Sequence, residues 1–140
     1  MESPTKEVDL AERSAPIAKV STVFIPVSDQ NEALKFYAEK LGFEIRTDVA
    51  YEENQRWLEV SPPGAETTIA LVPPREGHQD PEGIDTNVGF GTDDVAAAHA
   101  DLREKGVDTG DIISPGDPVP SMFFFRDQDG NKFVIAEESD

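Results

Sequence analysis

The residues able to do chemistry in this chain are few. It has no cysteine, two histidines (His78 and His99), and one tryptophan, Trp57, placed two positions before Glu59. Without cysteine there is no disulfide, no thiolate metal site and no cysteine nucleophile. Leu58 and Val60 read as core, so strand alternation puts Trp57 and Glu59 together on the opposite face. An aromatic surface beside a lone carboxylate suits a flat organic molecule with a cationic or hydrogen-donating group. Glu59 is also the candidate general base if a reaction takes place. Each residue has a plainer reading. Trp57 would equally fill a dimer contact, and Glu59 would sit solvated at a sheet edge or pair with Arg56 or Arg126. His99 falls on the back of an alanine-rich helix and reads as a surface residue. His78 lies in a loop, where a lid residue or general base is the functional alternative.

The composition bounds what such residues could serve. A chain of 140 residues makes one domain with one substantial core. Its 29 acidic residues against 12 basic ones give a net charge of −17. That field repels phosphate backbones, so nucleic acid is not an expected partner. It attracts cationic small molecules, although most of the charge simply keeps the surface soluble. No run approaches the ~18 apolar residues of a membrane span. The opening Met1-Glu2-Ser3-Pro4 lacks the basic-then-apolar order of a secretory leader. The expectation is a cytoplasmic protein with no membrane partner.

Elements that could position these side chains follow from periodicity. Residues 1–18 are polar and unpatterned and read as a tail. Val20–Val27 reads as a buried strand. Ser28-Asp29 then gives an N-cap signal for a helix over Asn31–Leu41, closed by Gly42. Strands are expected at Phe43–Asp48, Arg56–Ser61 and Thr67–Val72. After a loop rich in Pro, Gly and charge, the order recurs. Thr86–Thr92 is a strand, Asp93 a cap, Val95–Lys105 a helix and Gly106 its stop. Val107–Asp108, with Ile112–Ile113, Met122–Arg126 and Lys132–Glu137 complete the second set. From capping aspartate to stopping glycine is 13 residues in both halves. This internal repeat gives two tandem βαβββ modules: 19–73, a linker 74–83, and 84–138, in one domain spanning 19–140. Strands outnumber helices without strict alternation, which indicates an α+β fold. Two such modules side by side close sheet faces into a cleft suited to a small ligand.

Two motifs carry a resemblance. Val27-Ser28-Asp29 followed by Ala33-Leu34-Lys35-Phe36-Tyr37 and Leu41-Gly42-Phe43, and then Phe123-Phe124-Phe125-Arg126-Asp127-Gln128-Asp129-Gly130-Asn131, resemble the opening and closing signatures of the vicinal oxygen chelate superfamily. That is the glyoxalase, bleomycin-resistance and dioxygenase group. Gln128 stands where the closing signature has proline. The resemblance implies the glyoxalase/bleomycin-resistance fold over about residues 20–138 and a homodimer. It also implies four metal-ligand positions, two per module, which fall on Thr22, Ala70, Asn87 and Val134. Ala70 and Val134 have no donor atom, and Thr22 and Asn87 are poor neutral ligands, so no metal or other cofactor is expected. With those positions pointing inward, alternation adds Phe24, Trp57 and Glu59 to the cleft, with Phe123 and Phe125 as the module-two counterparts and Phe124 in the core. The expected ligand-binding set is Thr22, Phe24, Trp57, Glu59, Asn87, Phe123 and Phe125. The expected function is metal-independent binding of a small, hydrophobic, cationic molecule. The alternatives are a glyoxalase-like lyase, isomerase or dioxygenase with a metal on other residues, and a non-catalytic regulatory or accessory domain.

Overall fold

The computed structural model describes residues 16–53, 55–74 and 82–138. His78, Arg75 and most of the expected tail and linker lie outside the described residues. Module one runs β1 (Thr22–Pro26), α1 (Gln30–Lys35) continuing into a π turn (Phe36–Lys40), β2 (Glu44–Glu52), β3 (Gln55–Ser61) and β4 (Thr68–Val72). Module two runs β5 (Asp85–Thr92), α2 (Val95–Glu104), β6 (Asp108–Thr109), β7 (Met122–Arg126) and β8 (Lys132–Glu137). Each module forms its own four-stranded sheet, with orders β1-β4-β3-β2 and β5-β8-β7-β6. The first and last strands of each module pair in parallel and the other neighbours antiparallel. This is the repeated α+β arrangement expected from the pattern.

The repeat differs from the counted one at the helices. Asp29 caps α1 by accepting from the Glu32 amide at 3.0 Å. In module two the cap is Asp94, accepting from the Ala97 amide at 3.0 Å, and not the expected Asp93. Module one therefore has one more residue between cap and glycine. The π turn absorbs it: the Leu41 amide donates five residues back, to the Phe36 carbonyl, at 3.2 Å. The edge strands also differ. β2 has nine residues, whereas β6 has two and is followed by an exposed, proline-rich stretch touching β7 through one bridge, Ile113 to Met122. Proline supplies no amide to a ladder, and Pro115, Pro118 and Pro120 keep that stretch from extending the sheet.

The two sheets share one core through their helix-side faces. Ile25, Leu58, Val60, Leu71, Phe123, Phe125 and Phe133 are all buried within it. Phe125 stacks on Phe133 at 5.3 Å between centroids, and Phe43 meets Phe90 edge-on at 5.4 Å. At one end of this seam lies a buried polar joint. The Tyr37 hydroxyl donates to Asp127 Oδ2 at 2.6 Å. Asn131 Nδ2 donates to the same oxygen and to the Pro26 carbonyl, both at 2.9 Å. The Ser28 hydroxyl and amide donate to Asp129 at 2.7 and 3.0 Å. Burial raises the Asp127 carboxyl above its ordinary range, opposed by the hydrogen bonds from Tyr37 and Asn131. Burial, and then the Asp127 charge, raise the Tyr37 phenol well above its own. Gly130 has φ +86, and a Cβ there would collide with the Glu82 carbonyl, so the turn carrying this joint requires glycine. At the other end of the seam, Pro62, Phe90, Ala98, Leu102 and Phe125 line an open apolar cleft.

Candidate functional site

The faces turned away from the helices carry the side chains of interest. On the sheet of module one, β1 and β3 flank the central β4, and Phe24, Ala70 and Glu59 lie in one cross-strand row. Trp57 is two residues from Glu59 on the same face. The Trp57 indole donates to Glu59 Oε2 at 2.6 Å. Phe24 approaches the Trp57 ring edge-on, with centroids 5.8 Å apart and planes at 65°. Phe24 is nonetheless 58% exposed. Val49, opposite Trp57 on β2, is equally open. A large apolar patch with one carboxylate at its centre is thus left facing outward, which is not how a side chain that merely fills the core is placed.

Thr22, Phe24, Trp57 and Glu59 are therefore brought together as expected. Glu59 is not paired with Arg56: that guanidinium reaches Asp48 at 2.9 Å and Asn31 at 2.8 Å. Nor does Glu59 pair with Arg126, which donates to the Gly130 carbonyl at 2.8 Å. His99 is half-buried and not on a free helix back. Its Nε2 lies 2.8 Å from the Gly110 carbonyl and its ring packs edge-on against Phe123 at 4.9 Å.

Phe123 and Phe125 are not on this kind of surface. Both are fully buried under α2, while Phe124 is half-buried on the open face. The reason is register. Across the turn from Asp127 to Asn131, Phe123 faces Ile135, Phe124 faces Val134 and Phe125 faces Phe133. Directly opposed residues of an antiparallel pair share a face, and Ile135 and Phe133 point to the core. The expected parity of β7 is thus reversed, and Phe124 is the open-face counterpart that sequence reasoning missed. The signal was present: counting outward from Asp127–Asn131 aligns Arg126 with Lys132 and fixes the rest.

The four family metal-ligand positions lack the donors that a divalent ion needs. Ala70 is fully buried and Val134 half-buried, and neither has a donor. Thr22 Oγ1 lies 3.3 Å from Thr68 Oγ1. Asn87 sits at φ 57 within a register shift of β5. These residues do not fit a divalent ion. Among the described residues, no three His, Asp or Glu converge elsewhere to replace them. No helix among the described residues is long and apolar enough to cross a membrane.

Known proteins share this fold. A family model described as the Glyoxalase/Bleomycin resistance protein/Dioxygenase superfamily matches residues 19–135. A crystal structure of a member of that superfamily from Sphaerobacter thermophilus is 37% identical, with a TM-score of 0.80, covering 89% of this chain and all of the other. TnmS3, an antibiotic binding protein from Streptomyces sp. CB03234, is 32% identical with a TM-score of 0.76, over 90% of this chain and all of its own. The Bacillus subtilis protein YetH is 31% identical over 122 residues, 86% of this chain and 99% of its own.

Proposed function

The chain belongs to the glyoxalase/bleomycin resistance protein/dioxygenase superfamily, and from that membership we propose that it is a metal-independent binding protein for a small, hydrophobic, cationic molecule held on the open face of module one. The observation that carries this reading is the Phe24, Trp57 and Glu59 cluster: two rings set edge to face, one carboxylate tied to the indole, and the Phe24 ring largely open to solvent. A flat ligand would lie against the rings. Its cationic group would meet Glu59, whose Oε2 is fixed by Trp57, within a field already biased by the net charge of −17. The similarity to an antibiotic binding protein supports a binding role without chemistry. The exposed Phe24, Val49 and Tyr51 suit cover by a second copy of the chain, so a cytoplasmic homodimer is part of this reading.

The test is fluorescence of the single tryptophan during titration with naphthylmethyl-trimethylammonium. Saturable quenching is expected, weakened about tenfold by Glu59→Gln, a loss of about 1.4 kcal/mol. No quenching, together with stoichiometric zinc, nickel or iron tied to turnover in the purified protein, would identify the lyase or dioxygenase alternative instead.

A further inference from the structure

We propose that the open face of module two carries a separate anion subsite, formed by Arg126 and Lys132 beside the Phe124 ring, that takes a carboxylate or similar monoanion on a flat apolar body. This goes beyond the module-one reading and does not depend on it.

Arg126 and Lys132 are direct cross-strand partners on β7 and β8. Like charges set opposite each other on an antiparallel pair repel and cost stability. The chain has only 12 basic residues, so setting two of them together is a costly use of scarce charge. Acids flank the pair: Asp108 is the partner of Arg126 on β6, and Asp85 is the partner of Lys132 on β5. Neither base closes on its acid, and among the described residues neither is in an ion pair. The Arg126 guanidinium donates instead to the Gly130 carbonyl at 2.8 Å. The Lys132 ammonium lies 4.7 Å from the centroid of the Phe124 ring.

The same residues line a groove, with Thr109, Gly110 and Asp108 along its β6 side. An anion between the two bases would relieve their repulsion and accept charge-assisted hydrogen bonds from both. The Phe124 ring would take the apolar body. Asp85 and Asp108 close the row at both ends and the chain carries a net charge of −17, so a polyanion such as a polyphosphate would meet more repulsion than a single carboxylate held between the two bases.

The experiment is titration of the full chain with 2-naphthoate, followed by two-dimensional amide NMR, alongside uncharged 2-methylnaphthalene. Saturable shifts are expected in β6, β7 and the start of β8. The dissociation constant should rise about tenfold or more in Lys132→Met and in Arg126→Met, and stay unchanged in Lys35→Met and Glu59→Gln. Added salt should weaken the binding. Three results would overturn the proposal: no saturable shift, equal affinity for 2-methylnaphthalene, or a Lys132→Met affinity equal to that of the parent. Shifts confined to β1 and β3 would do the same, by moving the anion to module one. The cation titration that reads Trp57 is independent of all these outcomes.

Discussion

The two modules share a scaffold and differ in what they show on it. Register aligns Phe24, Ala70 and Glu59 of module one with Gly89, Val134 and Phe124 of module two. Stepping two residues along the strands sets Trp57 against Met122, Ser61 against Arg126 and Thr68 against Lys132. Module one presents aromatic rings around an acid; module two presents one ring beside two bases. Strand order and pairing direction are the same in both, so recognition here is written in the open-face alternate residues and not in the fold. The core-facing alternates are far more alike, being Ile, Leu, Val and Phe in both halves.

The largest effect expected from probing this comparison is in the core. Phe125→Ala should cost about 3–5 kcal/mol in urea denaturation, and Phe124→Ala about 1 kcal/mol or less, because only the first leaves a buried cavity. Equal costs would mean that the faces of β7 have been read the wrong way round. Next comes the joint that holds the halves together. Tyr37→Phe should cost about 2 kcal/mol, since it removes a hydrogen bond to a buried carboxyl group.

The same joint predicts a pH dependence. The folded chain holds the Asp127 proton more tightly than the unfolded chain does. Its stabilising contribution is therefore full below the ordinary carboxylate range near pH 4, is lost as pH rises through the raised folded value, and is flat above it. Tyr37 adds a second loss above about pH 10, where the unfolded phenol ionises and the folded one does not. Denaturation midpoints measured across pH should show both arms, and Asp127→Asn should remove the acidic one. The smallest expected effect is none at all: Lys132→Met should leave binding of the aromatic cation untouched, as Glu59→Gln should leave binding of naphthoate. Cross-sensitivity in either direction would join the two faces into one site.

Much of this was legible in the residues. Alternation of apolar side chains gave β3 and β4 their faces, and with them the meeting of Trp57 and Glu59. Capping and glycine stops bounded both helices. What escaped depended on tertiary context. The spacing of 13 residues looked equal in both halves because either Asp93 or Asp94 can cap, and because a π turn leaves no periodic mark over five residues. Three consecutive phenylalanines carry no alternation, so β7 could be oriented only by its partner strand. His99 looked exposed because alanines surround it in sequence, while the Phe123 ring beneath it comes from 24 residues further along.

The polar joint also has a missing twin. Pro62 occupies in module one the place that Asp127 holds in module two, and Asp101 and Leu102 of α2 stand near the place of Tyr37. They line the apolar cleft at the far end of the seam. The halves are thus joined by hydrogen bonds along one border and by apolar contacts, such as Phe43 on Phe90, along the other. Protonation of Asp127 and Tyr37 therefore acts on one border of the seam only, and the other is held by apolar packing that pH does not touch.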